Sequence, residues 1–325
     1  TLWHGYLTGG VLLARLTAGT ADLWILMLTG VTLFSPDLAA GTARGALGLM
    51  LLQLSLVMSY LGSFASRTLF KERAITTGEI IQTAAVVAIG FGGAIAVAHR
   101  QGSSSALMDI SSLVLGAGSY SVAFAFIGRK AGRGPNFFFY SSLALVLTGV
   151  ALAQFLDGPA LSAALTVCAA GTAALGFLRR RSTLSLHAAA YAILAAITSG
   201  LLKGAGSSLF GLTLPGPEPG IAAAAALAVA GLVAGLAPPW AGRAPGGLTF
   251  LPGLTALAVV AAGGGGGIVA LLSYAGLAGR EPHSILFLRA AVLAGTAVVL
   301  SALAGIRRFH DVRRLVHAIL IAAGL

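Results

Sequence analysis

The strongest constraint on this chain is a succession of long apolar runs with short connections between them. A helix needs about 20 apolar residues to cross the hydrocarbon core of a bilayer. The runs are continuous and rich in Ala, Leu and Gly, whereas a membrane β-barrel needs alternating polar and apolar residues in segments of about ten. The sequence therefore predicts an all-α polytopic transmembrane bundle of about 12 spans with short loops, over residues 1–14, 21–34, 45–64, 75–98, 107–128, 137–156, 160–178, 185–205, 220–238, 248–278, 285–305 and 315–325.

Composition excludes the two main alternatives to a membrane protein. Only 9% of the residues are charged and 57% are hydrophobic, whereas a soluble domain carries about 25% charged residues. Intrinsic disorder requires the opposite balance of low hydrophobicity and high charge. The first two runs and the last are short, and the chain starts at Thr1 and stops within an apolar run at Leu325. We therefore expect a single transmembrane helical domain over residues 1–325, as a fragment of a longer chain.

Basic residues are distributed unevenly over the connections. When the connections are numbered in chain order, the odd-numbered ones hold 15 of the 20 Lys and Arg residues. The net charge of +11 therefore indicates membrane topology rather than nucleic-acid binding, because cytoplasmic loops of membrane proteins are enriched in Lys and Arg. The pattern predicts a bacterial cytoplasmic-membrane protein, with the odd-numbered loops in the cytoplasm and residue 1 on the outer side.

Glycines four residues apart recur in the apolar runs, and small residues at this spacing allow helices in a membrane to approach closely. The pairs are Gly5 and Gly9, Gly200 and Gly204, Gly231 and Gly235, and Gly263 and Gly267. The unbroken run from Gly263 to Gly267 lies in the longest apolar stretch, where five glycines lower helix propensity. Two interpretations of this run remain open: a close-packed or kinked helix, or a broken helix that lines a site, as in secondary transporters.

Glu79 and Gln82 are candidate site residues because ionisable and polar groups inside a membrane are costly. They are three residues apart and share one helical face near the inner end of their span. Glu79 either carries protons or binds a cationic group, or it pairs with a basic residue just outside the bilayer. The basic residues within reach are Arg67, Lys71 and Arg73.

Asp109 and Arg289 are the other charged candidates, and each lies near the outer end of its span. Their opposite charges allow an interhelical pair. Such a pair is more often architectural than catalytic, so we group these residues with a possible transport or polar site rather than with a catalytic one.

His187 and His317 each follow an arginine cluster near the inner end of a predicted span. Imidazole is a common axial ligand of haem, so both are candidate ligands of haem or another tetrapyrrole. The alternative is that they are ordinary histidines at the membrane interface. The sequence fixes no second ligand and requires no cofactor.

Two stretches resemble parts of uncharacterised multi-spanning bacterial membrane proteins. One is Glu79-Ile-Ile-Gln-Thr-Ala-Ala with the Ile-Gly-Phe-Gly-Gly-Ala of residues 89–94, and the other runs from Arg181 to Tyr191 and on to Thr198-Ser-Gly-Leu-Leu. Together they cover under a fifth of the chain. The resemblance implies a polytopic protein of unknown activity and supplies no catalytic residues.

The sequence contains no HExxH, CxxC, P-loop or GxSxG motif, so we expect no enzyme. The leading hypothesis is a non-catalytic membrane subunit that packs against lipids and other membrane-protein subunits, with no nucleic acid among its partners. The alternative is a secondary transporter or permease, with a site near Glu79, Gln82 and the 263–267 glycine run. A third hypothesis is a tetrapyrrole-binding membrane protein.

Overall fold

The computed structural model describes residues 11–34, 43–71, 73–101, 106–127, 134–180, 182–211, 220–236, 251–276, 282–306 and 312–323. Helices account for nearly all of these residues, and no strand occurs in them. Contacts between Cα atoms divide the chain into two compact units, Thr1–Phe155 and Leu156–Leu325. The expectation of a single domain over 1–325 stays a prediction.

The described part of unit 1 contains six α-helices and three π-helical turns, and four of the α-helices adjoin a π turn. The α-helices are α1 (Val11–Phe34), α2 (Ala43–Ala65), α3 (Thr77–Val87), α4 (Gly93–Gln101), α5 (Ala106–Ser121) and α6 (Gly134–Phe155). The π turns are π1 (Ser66–Phe70) after α2, π2 (Ala88–Gly92) between α3 and α4, and π3 (Val122–Phe126) after α5. Single π turns inside helices are rare and are found frequently at functional sites.

Unit 2 contains seven α-helices in its described part. They are α7 (Gly158–Arg179), α8 (Ser182–Thr198), α9 (Leu201–Phe210), α10 (Ile221–Leu236), α11 (Leu251–Tyr274), α12 (Pro282–Ala304) and α13 (Arg313–Ala322). The axes of α8 and α9 meet at 67°. The predicted span 185–205 is therefore two half-helices and not one straight helix.

The helical content of the described residues confirms the all-helical prediction. Several of the helices are long and apolar, as expected of a membrane protein. Eight helical segments of the described chain are long and apolar enough to cross a membrane, and the bent pair α8–α9 adds a ninth if it is one span. The predicted count of about 12 is not reached in these residues. Residues 1–10 of the first predicted span lie outside them, and α10 and α13 have only 16 and 10 residues.

The predicted connection between residues 14 and 21 is wrong, because α1 continues through it without a break. Its two threonines do not interrupt the helix: Thr20 Oγ1 donates to the carbonyl of Thr17, 2.9 Å away. A hydroxyl that donates to a backbone carbonyl one turn earlier has its hydrogen-bond partner within the helix. Polarity at this point therefore marks neither a loop nor a helix end.

Large aromatic side chains fill the core of unit 1. Tyr60 and Phe64 on α2 are at most 1% exposed. The Phe64 ring meets the rings of Tyr60 and Phe139 edge to face, with centroids 6.2 and 6.5 Å apart. Such pairs add about 0.5–1.5 kcal/mol beyond burial of the same area, so unit 1 is held by side chains that fill space.

Alanine dominates the buried positions of unit 2. Its side chain ends at Cβ, which lets helices approach closely. At the contact of α7 with α8, a Cβ added to Gly176 would lie 3.1 Å from Ser185 Oγ and 3.2 Å from Leu184 Cβ. The buried alanines include Ala169, Ala173, Ala188, Ala192, Ala195, Ala196, Ala226, Ala230 and Ala256.

Candidate functional site

In unit 1, an ion pair joins the end of α2 to the start of α3. Glu79 lies in the first turn of α3 and is 4% exposed, and its Oε1 contacts Nη1 of Arg67 on π1. Its Oε2 accepts hydrogen bonds from the backbone N–H and the hydroxyl of Thr76, at 2.8 and 2.9 Å. A carboxylate in the first turn also stabilises the helix N-terminus. Both oxygens of Glu79 are thus engaged by neighbours, as the pairing interpretation of Glu79 predicts.

Asn136 ties the connection between π1 and α3 to helix α6. Its Oδ1 accepts from the backbone N–H of Ile75 at 2.8 Å, and its Nδ2 donates to the carbonyl of Arg73 at 3.0 Å. Asn136 is only 2% exposed. An amide buried in this way satisfies backbone groups of an irregular segment that would otherwise lose water on burial. Sequence reasoning missed this residue, because a polar residue near a helix start has no distinctive spacing.

Gln82 lies one turn further along α3 than Glu79 and is half-buried. Its Nε2 donates to the hydroxyl of Tyr60 on α2, 3.3 Å away. The two predicted residues Glu79 and Gln82 therefore lie together and contact α2 or π1 through polar groups. These contacts join α3 to α2 and π1.

Gln53 is a fully buried polar side chain of unit 1, at 0% exposure. Its Nε2 donates to Thr29 Oγ1 at 2.8 Å, while its Oε1 has no hydrogen-bond partner in the described part of the chain. A Cβ at Gly93 would lie 2.7 Å from Gln53 Nε2, so the absence of a side chain at Gly93, just after π2, makes room for the amide.

Unit 2 breaks its helix at Ser199 and Gly200. Gly200 has a φ of +76°, a backbone conformation that residues with a Cβ rarely adopt. Its N–H donates to the carbonyl of Ile197 at 3.1 Å, and its own carbonyl accepts from Gly204 at 2.8 Å. The second half-helix, α9, therefore starts in a new direction immediately after the first ends.

The glycine run lies on α11 against this second half-helix. α11 is continuous through Gly263 to Gly267, so the broken-helix interpretation of the run is wrong and the close-packed one is right. A Cβ at Gly266 would lie 2.6 Å from Ala205 Cα, which is backbone and cannot move alone. Glycine is therefore required where α9 approaches α11. The helix break lies between α8 and α9 and not in the glycine run of α11.

A cavity of about 220 Å³ lies beside the bend. Hydroxyls and glycine backbone supply its polar groups, and no charged side chain is among the described residues that line it. Those residues are Ser199, Gly200, Leu201, Gly204, Ala205, Ser207, Ser208, Gly220, Ala223, Gly263, Gly266, Gly267 and Ala270.

Arg289 is buried at the other end of α9, with 5% exposure. Its Nε donates to the carbonyl of Ser208 at 2.7 Å, and its Nη1 donates to the carbonyl of Gly211. The last carbonyls of a helix lack partners within it and carry partial negative charge, so a guanidinium stabilises them. Asp109, its predicted partner, is buried in the first turn of α5 and belongs to unit 1.

The two candidate histidines differ in environment. His187 on α8 is 0% exposed, whereas His317 on α13 is exposed and its Nδ1 lies 2.7 Å from the carbonyl of Arg313. Neither lines the cavity at the bend, and the described chain holds no group of three metal-ligating side chains. The tetrapyrrole hypothesis stays a prediction, which a Soret band in the purified protein would test.

No protein-family model, no curated protein and no solved structure matches this chain. The case for a function therefore depends on the geometry of the two units and on the character of their surfaces.

Proposed function

We propose that this chain is a non-catalytic helical subunit of a membrane complex, packed against partner proteins and lipids in the bacterial cytoplasmic membrane. The proposal is supported by exposed apolar side chains in both units, because such surfaces mark contact with a membrane or another protein. Side chains more than half exposed include Trp24, Phe34, Phe70, Ile81, Val114, Val167, Leu178, Leu271 and Phe287.

The observation that carries the subunit proposal is an exposed face of small residues on α10. Ala224, Ala228 and Gly231 are all exposed, and their spacing of four and three residues places them on one side of the helix. A Cβ at Gly231 would meet no atom within 4 Å. A partner helix can approach such a face of small residues closely. We infer that α10 contacts a helix of another subunit.

In the proposed orientation, the helix ends that adjoin the basic connections face the cytoplasm, and we call these the inner ends. The connections rich in basic residues, such as 71–76 and 179–181, then lie on the cytoplasmic side. The Arg67–Glu79 pair lies at this inner end of unit 1, where charged side chains reach the interface at low cost.

The subunit proposal is tested with Gly231→Leu, which places a large side chain on the exposed face of α10. Complexes extracted in mild detergent should shift to a smaller size on native gels, while the helical content of the isolated chain stays unchanged. Ala225→Leu is the matched control, because Ala225 is exposed on the same helix about 100° from that face. Equal complex size in both variants would contradict the role of α10.

Transport of a small, uncharged polar solute is the second candidate function. The bent pair α8–α9 and its cavity support it, since half-helices whose ends line a cavity are a recurrent feature of transporter binding sites. The described residues that line the cavity are uncharged, which favours a neutral substrate over an ion. Glu79 and Gln82 lie in the other unit and are engaged with neighbours, so the case for transport rests on unit 2.

Two substitutions in the glycine run separate transport from packing. Gly267 lines the cavity and Gly264 does not, and a Cβ at either meets no atom within 4 Å. Gly267→Phe should abolish uptake of a panel of labelled neutral solutes into reconstituted vesicles, while Gly264→Phe should leave it unchanged. Absence of uptake by the unsubstituted protein, or equal uptake by both variants, would remove this candidate.

A further inference from the structure

An apolar slot runs along unit 1 between two helices. It has a volume of about 400 Å³ and is flanked on one side by α3, π2 and the start of α4, and on the other by α6. The lining on the first side recurs every three or four residues, so it is one continuous helical face. It includes Ile80, Ala84, Val87 and Phe91, opposite Phe138 and Val146.

The length and the lining of the slot fit a hydrocarbon chain. Ile80 and Ile95 mark its ends on one side, about 20 Å apart at the rise of an α-helix. Its lining is almost wholly apolar, which suits a hydrocarbon chain.

One end of the slot lies beside a basic segment. Phe138 lines this end and is two residues beyond Asn136, whose amide holds the carbonyl of Arg73. Arg73 and Lys71 are exposed there, while the charge of Arg67 is offset by Glu79. In the sequence, Arg129, Lys130 and Arg133 directly precede the first residue of α6. Basic residues outnumber the two acidic residues of this part of the sequence, Glu72 and Glu79, and this excess of positive charge favours an anionic group at this mouth.

We propose that the slot holds one acyl chain of an anionic glycerophospholipid, with its phosphate at Lys71 and Arg73. Because the bilayer is as apolar as the slot, the chain gains mainly van der Waals contact on binding. The headgroup charge therefore decides which lipid is retained, as at other basic sites between membrane helices. The inference rests on the proposed membrane location and is independent of the proposed protein partners.

The slot is tested with the same substitution at two glycines. Gly92 lines it and Gly149 on α6 does not, and a Cβ at either position meets no atom within 4 Å. The delipidated protein in detergent is titrated with phosphatidylglycerol or phosphatidylcholine, and bound lipid is counted by native mass spectrometry. Gly92→Phe should lower phosphatidylglycerol affinity more than tenfold, while Gly149→Phe should leave it unchanged. Equal affinities in the two variants would overturn the proposal.

The headgroup assignment is tested by removing the charges. Lys71→Gln with Arg73→Gln should weaken phosphatidylglycerol binding about thirtyfold and leave phosphatidylcholine binding unchanged. Arg100→Gln, an exposed charge near the end of α4, is the control and should have no effect. Equal loss of both lipids, or no loss of either, would overturn the assignment.

A different occupant gives a different result in the same set of variants. If a partner helix fills the slot, Gly92→Phe releases a protein from the native complex without changing lipid affinity, and the lipid proposal is wrong. If the α10 variant leaves the size of the complex unchanged, the proposed role of α10 is wrong, and lipid binding at the slot is unaffected. Failure of the subunit proposal and failure of the lipid proposal are therefore distinguishable.

Discussion

The two units of this protein bury their helices by different means. Unit 1 has large aromatic residues in its core, three π turns and a polar network around Glu79. Unit 2 has a core of alanines and the contact of Gly266 with Ala205. The first arrangement depends on filling space and the second on leaving space for backbone to approach. The same apolar composition therefore supports two kinds of packing, and each should fail under a different kind of substitution.

The largest effect is expected from removing an aromatic side chain in unit 1. Phe64→Ala deletes a ring that is 1% exposed and contacts two other rings, and should cost about 3–5 kcal/mol. Phe126→Ala, at a ring 65% exposed, is the control. Denaturation in detergent–SDS mixtures measures both free energies of unfolding. A loss below about 1 kcal/mol for Phe64→Ala would mean that the aromatic core does not hold unit 1.

Adding a side chain at a close helix contact should destabilise unit 2. Gly266→Leu forces α11 away from the backbone of α9 and should cost about 1–3 kcal/mol or more. Gly264→Leu is the control, because a Cβ at that position meets nothing within 4 Å. Thermal unfolding of the two variants makes the comparison. Equal melting temperatures would show that the glycine contact is dispensable.

Breaking the ion pair of unit 1 should have a smaller effect. Glu79→Gln leaves Arg67 largely buried without its counter-ion, at 13% side-chain exposure, and should cost about 1–3 kcal/mol. Combining Glu79→Gln with Arg67→Met removes the uncompensated charge and should restore part of the stability. An additive double-variant cycle would show that the two side chains do not act together.

The smallest effect is expected at Gln53. Gln53→Met removes the buried amide oxygen Oε1, which has no hydrogen-bond partner in the described chain. The same substitution also removes the hydrogen bond from Gln53 Nε2 to Thr29. Thr29 keeps its bond to the carbonyl of Ile25 at 2.7 Å, so no new unsatisfied group results. Stability should change by less than about 0.5 kcal/mol. A large loss would indicate that the amide has a further partner.

The sequence predicts the positions of most helices because apolar length is a direct consequence of the bilayer. It misses the bend at Gly200, and it leaves open a helix break at Gly263–Gly267 that does not occur. Both errors have one cause: the sequence does not show whether a glycine is needed for a positive φ or for a close contact between helices. The Arg67–Glu79 pair was one of two open interpretations, because both residues lie near helix ends. Asn136 and the cavity could not be predicted, as they depend on which helices are neighbours.

We propose that this chain works as a subunit of a membrane complex. The most direct measurement is extraction of the unsubstituted protein from native membranes in mild detergent, followed by native-gel sizing and mass-spectrometric identification of co-migrating proteins. We predict a large species with partners in fixed stoichiometry, reduced in size by Gly231→Leu. A lone monomer or homodimer would contradict the claim and leave transport through unit 2 as the stronger hypothesis.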